Sequence, residues 1–308
     1  MNSYDLIMDL VGKVSDISDL PAVGAYNIRA DGCGTARQNS ENIEIITKTD
    51  KPGIDIMVKP GTKGETVYIP AVITHGGVDD LVYNDFYIGE DADVTIVAGC
   101  GVHNCDCEDS HHNGIHRFFL AKNSKVLYLE KHYGEGDGSG KRIINPETEV
   151  FAEEGSTMEM NTVQIKGVDS TKRDTVAHLA AGAKLVVQER LMTHGRQYAE
   201  SRFDVCLDGE NSSANIISRS VARDQSHQAF YSNLQGNSLC AGHTECDAII
   251  MDEAKISSLP EITANHPDAA LIHEAAIGKI AGDQIIKLMT LGLTEEEAEA
   301  QIVNGFLK

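Results

Sequence analysis

Tryptophan is absent from this 308-residue chain, and aromatic residues make up only 5% of it. A glycan-binding or structural β-protein would draw on a ladder of exposed aromatic rings, so that role is starved of its contact surface. Basic residues are also scarce: 26 Lys and Arg stand against 47 Asp and Glu, a formal charge of −21. The acids are spread along the whole length, which makes nucleic acid and anionic membrane poor partners. No run approaches the roughly eighteen apolar residues of a membrane span. The start, MNSYDLIMDLVGK, carries Asp5 and Asp9 where a signal peptide would need a basic and then an apolar region. A cytoplasmic protein is therefore expected. Seven cysteines, an odd and unevenly placed set, argue against a disulfide framework in a chain this large. These thiols read as ligands, nucleophiles or core residues.

What is present is a repeat. Segments beginning at Ile88, Leu120, Phe151, Leu179 and Leu207 each show an apolar residue, a small or acidic turn, and an alternating strand, at separations of 32, 31, 28 and 28 residues. Turn and strand units at a near-fixed period must stack to bury their faces, which predicts a mainly β fold, a parallel β-helix or β-solenoid. An antiparallel sandwich with evenly spaced loops is the alternative. The strands are expected in runs such as ETVYIPAVI, DVTIVAG, KVLYLEKHY and AKLVVQER. Residues 3–17 predict a helix capped by Ser3, an appendage or a dimer contact. After Pro260 the pattern turns helical again in DQIIKLMTLGL and TEEEAEAQIVNGFLK, the latter with Thr294 and Glu297 at capping-box spacing and a stop at Asn304-Gly305. AALIHEAAIGKI, before them, fits either a last strand or a helix. The expected division is an N-terminal helix in 1–20, a β-helix core over 21–265 and a helical segment over 266–308.

Three stretches carry chemistry. The run GEGDGSGK, Gly134 to Lys141, fails as a phosphate loop: Glu135 holds a required glycine position, Arg142 stands where Ser or Thr is needed, and Asp137 would repel phosphate. No nucleotide is expected on this chain. In GCGVHNCDCEDSHHNGIH, three cysteines and four histidines fall within Gly99–His116. Cys105 and Cys107, with His103, His111, His112 and His116, offer thiolate and imidazole donors for zinc or iron, although no standard finger spacing is met and a solvated acidic loop is the alternative. Cys100, between two glycines at a strand end, is a thiol held by the scaffold, with room for an incoming group. In the third stretch, Cys246 is followed 27 and 28 residues later by His273 and Glu274, about one repeat on, so a solenoid would bring them to neighbouring rungs.

ECDAIIM and IHEAAIGKIAGDQIIKLMTLGLTEEEAEAQIVNGFL resemble the C-terminal end of the SufB/SufD family, scaffold proteins of the SUF iron–sulfur cluster assembly machinery. A second likeness covers GCGVHN and GIHRFFLAKNSKVLYLEKHYGEGDGSGK. The resemblance implies a right-handed parallel β-helix flanked by helical ends and a compact SufB-like form. It also implies dimerisation, here a homodimer, and docking of an ABC-type ATPase, SufC, on the C-terminal helices. Residue by residue it makes Cys100 the acceptor of persulfide sulfur, and Cys246, Glu274 and His273 the holders of iron and a transient iron–sulfur cluster at the dimer interface. The implied protein is a non-enzymatic scaffold, supplied by a cysteine desulfurase or sulfide and serving apo iron–sulfur proteins. The rival reading is a metal-dependent hydrolase built on the His/Cys-rich loop 100–116.

Overall fold

The computed structural model describes residues 3–17, 19–21 and 24–308. Helix α1 (Ser3–Ser15) precedes two antiparallel pairs, β1 (Ala25–Ala30) with β2 (Cys33–Gln38) and β3 (Ile43–Thr47) with β4 (Gly53–Val58). From there the chain winds as a solenoid: β5 (Lys63–Ile73), β6 (Asp79–Ile88), β7 (Asp93–His103), β8 (Ser110–Leu120), β9 (Lys125–Glu135), then the short β10 (Arg142–Ile144) and β11 (Glu147–Ala152). It continues through β12 (Thr157–Lys166), β13 (Ser170–Leu179), β14 (Lys184–Thr193), β15 (Tyr198–Leu207) and β16 (Ser213–Ala222). The last turns are β17 (His227–Gly236), β18 (Ala241–Ile250), β19 (Lys255–Ala264) and β20 (Ala270–Gly278), followed by α2 (Gly282–Thr290) and α3 (Glu295–Phe306).

Successive strands alternate between two ten-stranded sheets, and every pairing from β5 onward is parallel. The repeat is therefore a β-solenoid of about eight turns, and the sandwich alternative is excluded. The corners explain the spacing. Asp91, Asn123, Gly155, Gly182 and Asn211 occupy equivalent turn positions with φ between 57° and 69°. Only glycine and short polar residues adopt this left-handed conformation at low cost. The next residue is buried at each corner, and the hydroxyls of Ser124 and Ser156 each donate to the carbonyl three residues back at 2.7 Å. Between corners, inward positions stack rung on rung: Phe86 lies 4.3 Å from Phe118, ring centre to ring centre, and Ile96, Tyr128, Met160, Val187 and Ile216 continue the core.

Three expectations are revised. The ambiguous AALIHEAAIG segment is β20, so strand structure extends into the expected C-terminal helical segment. Helix α3 has the Thr294–Glu297 capping box but runs through Gly305 to Phe306. The glycines around Cys100 leave no room for an incoming group: α1 lies on the outer face of β7, and a Cβ on Gly99 would stand 2.5 Å from the Val14 carbonyl oxygen. Those glycines admit the helix, and the space near Cys100 is on the inner face. Among the described residues no helix is long and apolar enough to cross a membrane.

Candidate functional site

Strand alternation turns Cys100 inward, 6% exposed, while the neighbouring strand brings His132 opposite it. In the facing sheet, β6 and β8 pair Asp80 with His112. His112 Nδ1 lies 3.1 Å from Asp80 Oδ2, and Arg29 Nε donates to the same oxygen at 2.9 Å. Burial alone would push the Cys100 thiol up. The positive His112 imidazole, together with hydrogen bonds from His112 and His132, overrides burial and brings it down to about 7. Burial disfavours charge on His112 too, but the Cys100 thiolate and Asp80 raise it to about 10. Cys100 and His112 thus form a thiolate–imidazolium pair near neutral pH, with Asp80 and Arg29 holding the imidazole. The thiolate is the nucleophilic form of cysteine, so this sulfur can attack an electrophilic sulfur.

The protonation scheme predicts a pH profile. Alkylation of Cys100 by iodoacetamide should rise with pH around a midpoint near 7, because thiol dominates below it and thiolate above it. His112 stays charged across that range. Peptide mass spectrometry would score Cys100 separately from the exposed Cys33, Cys105 and Cys107. His112→Gln, which removes the cation, should move the midpoint up by about one to two pH units. An unmoved midpoint would mean that the imidazole does not tune the thiol.

From Cys100 a buried polar file crosses the solenoid interior. His132 Nε2 lies 3.4 Å from Glu130 Oε1, Arg173 Nη1 donates to Glu130 Oε2 at 2.6 Å, and Arg173 Nε stands 3.7 Å from Glu189 Oε1. Burial opposes charge on Glu130, yet the Arg173 and His132 charges hold its carboxyl well below the usual range. Ser218 donates to Glu189 Oε2 at 2.7 Å, and Ser218 is paired across the strands with Cys246. Cys246 is 1% exposed. Burial and the Glu189 and Asp247 charges push its thiol up to about 11, although a Ser258 hydrogen bond pulls the other way. The two cysteines at the ends of the file therefore differ: Cys100 is poised as a nucleophile, whereas Cys246 keeps its proton at neutral pH.

The register separates residues that sequence spacing brought together. Cys246 is opposite Ala275, and His273 is opposite Thr244, its Nδ1 2.7 Å from Thr244 Oγ1. Cys246 and His273 share the inward parity as diagonal neighbours. Glu274 faces the other way and joins His243 and Glu245, one potential ligand atom from each lying within 4.8 Å of the other two. This outward trio, with His243 Nε2 3.4 Å from Glu274 Oε2, is a carboxylate–imidazole set suited to a divalent metal.

The His/Cys-rich loop does not converge. Alternation along β8 buries His112 and His116 and turns His111 outward, while Cys105 and Cys107 are exposed on the preceding turn. His103 stands 3.2 Å from the Cys105 sulfur but is tied on its other side to Glu135. Burial leaves His116 neutral, pushed down to about 4. The turn is built by Asn104, which accepts from the Asp106 N–H and donates to the Glu108 carbonyl. The run from Gly134 to Gly140 pairs with that turn, Gly140 N–H donating to the Asp106 carbonyl at 3.0 Å, which accounts for its glycines without a phosphate.

Sequence reading missed Asp80, His132, Glu130, Arg173 and Glu189. A signal existed for two of them: His132 is 32 residues after Cys100 and Asp80 is 32 before His112, one period in each case.

Residues 83–306 match the SufBD core domain of the SUF system for iron–sulfur cluster assembly. Among curated proteins, an iron–sulfur cluster assembly SufBD family protein of Archaeoglobus fulgidus is 29% identical over 88% of this chain and 72% of its own length. A family protein of Methanocaldococcus jannaschii is 28% identical over 88% of this chain and 86% of its own. One of Methanothermobacter thermautotrophicus is 28% identical over 83% of this chain, which spans 62% of that relative.

Proposed function

The chain belongs to the SufBD family of iron–sulfur cluster assembly proteins, and from that membership we propose that it is a SufB-type scaffold that takes up sulfur at Cys100 and builds a cluster at Cys246. The buried polar file joining the two cysteines is the observation that carries this reading. The Cys100 thiolate attacks the outer sulfur of a persulfide; the new sulfur–sulfur bond forms as the old one breaks, and the carrier departs as a thiolate. External thiols then release the outer sulfur as hydrosulfide, two thiols becoming one disulfide. Hydrosulfide passes along Arg173 and Ser218 toward Cys246, where ferrous iron displaces the thiol proton. His273 lies on the same inner face, and Glu274, with His243 and Glu245, receives iron from outside. Mixed ligation of this kind leaves a cluster exchangeable.

The interface belongs to the last rung. Strands β19 and β20 end the two sheets with unpaired edges, and Leu259 and Ile272 there are 51% and 55% exposed. Unpaired parallel edges are templates for another chain, and a second copy across a two-fold axis would satisfy both. Helix α2, which buries no residue and exposes Ile286 and Met289, is the docking surface for the SufC-type ATPase. ATP-driven movement of that partner would open the interface.

Anaerobic reconstitution of the whole chain with ferrous iron, a cysteine desulfurase and cysteine tests the reading, with iron, sulfide and zinc analysis. A sulfide-containing chromophore is expected. Stoichiometric zinc without sulfide would instead support the hydrolase.

A further inference from the structure

A cavity of about 350 Å³ opens onto Cys100 and His112, enclosed largely by the N-terminal strand pairs. Apart from the Cys100 thiolate itself, its charged lining is positive: Arg29, Arg37, Lys48, Lys51 and His112, with no carboxylate among the lining residues. In a chain of net charge −21 this is a local inversion. Arg29 and Lys48 are neutralised by Asp80, Asp55 and Asp85, none of which lines the cavity. The other two cations have no such partner. Arg37 donates to the Asn27 side-chain oxygen at 2.9 Å and to the Thr47 hydroxyl at 2.6 Å, and Lys51 lies 4.4 Å from the centre of the Tyr83 ring. Among the described residues neither makes an ion pair with a carboxylate. Uncompensated positive charge at a concave, low-dielectric mouth concentrates anions and repels the cations that a metal-loading route would carry.

We propose that this cavity binds a small anionic carrier of sulfane sulfur, an inorganic polysulfide or low-molecular-weight persulfide, and delivers its terminal sulfur to Cys100. The inference rests on Cys100 being the sulfur acceptor and adds the chemical class of the donor. A thiolate and an anionic persulfide repel each other, and the uncompensated charges of Arg37 and Lys51 lower that barrier. The step balances on a hydropolysulfide or persulfide whose terminal sulfur is protonated and whose negative charge sits elsewhere on the carrier: the Cys100 lone pair forms the new sulfur–sulfur bond, the pair of the broken bond leaves on the shortened carrier, and the terminal proton transfers with its sulfur. The volume suits a small molecule and excludes a folded donor domain, whose persulfide would have to reach in on a loop.

The test uses the full chain, with sodium tetrasulfide as donor and Cys100 persulfide read by peptide mass spectrometry. Arg37→Gln/Lys51→Gln should load about tenfold more slowly than wild type at low salt, and added salt should narrow the gap. The ratio of Cys100 alkylation by anionic iodoacetate to that by neutral iodoacetamide should fall in parallel, a readout of anion preference that involves no sulfur transfer. Wild-type loading and an unchanged alkylation ratio in the double variant would overturn the proposal. So would loading of the wild type by a persulfidated desulfurase but not by tetrasulfide. Undiminished total loading in Cys100→Ser would instead overturn the acceptor assignment, a separate failure.

Discussion

Cys246→Ser, reconstituted anaerobically with ferrous iron and a persulfide donor, should retain sulfane sulfur on Cys100 while its cluster content falls at least about tenfold. The argument turns on the proton. Cys246 already sits in surroundings that push its thiol up to about 11, so it becomes a ligand only when a metal pays for its ionisation. A serine hydroxyl is a far weaker acid and a harder donor, and iron cannot displace its proton at neutral pH. The fold should tolerate the change, because the Ser258 hydroxyl reaches the position 246 side chain and has no other partner among the described residues. Cys100→Ser should fail earlier, with neither persulfide nor cluster. Equal cluster yields in Cys246→Ser and wild type would remove Cys246 from the site.

The two variants separate what the sequence made legible from what it did not. The solenoid was readable because its corners demand Asp, Asn or Gly at a left-handed position once per turn, as at Asp91, Asn123 and Asn211, and the period survives without any homologue. Counting one period from Cys246 located the right rung but the wrong face for Glu274. The ladder pairs Cys246 with Ala275, 29 residues on, and a strand has a side-chain period of two, so a residue 28 away points through the opposite side of the sheet. The same parity dispersed the candidate ligands of the His/Cys-rich loop: His112 and His116 share the inner face of β8, and His111 cannot join them. The packing of α1 over Gly99 was invisible for another reason: it depends on contact between segments about ninety residues apart, which no local pattern encodes. The Asp80–His112–Cys100–His132 cluster lay between these cases: Asp80–His112 and Cys100–His132 are each one period apart, whereas His112 meets Cys100 across the interior from the facing sheet.

Arg173→Met should have the largest effect on stability, and its pH dependence should have a distinctive sign. Arg173 is the cation between the fully enclosed carboxylates of Glu130 and Glu189. Removing one member of a buried ionic group strands the others, a cost of about 3–5 kcal/mol. In the wild type the Glu130 carboxyl is held well below its ordinary value of 4.5, so its contribution is present above that value and is lost as pH falls through the lower folded one. Without Arg173 the desolvated carboxyl has chiefly His132 to hold it down, so its folded value rises and the variant has less to lose as pH falls. The deficit of Arg173→Met in urea unfolding should therefore be greatest near pH 8 and shrink as pH falls toward 4, while Glu130→Gln/Arg173→Met/Glu189→Gln should recover much of the loss at pH 8. Function should not recover with it. Without the Arg173 cation the file offers an anionic hydrosulfide no positive charge between His132 and Ser218, so persulfide on Cys100 should persist and cluster at Cys246 should remain low. A triple variant that regained both stability and cluster assembly would mean that the file only holds the core together, and that sulfur reaches Cys246 by another route.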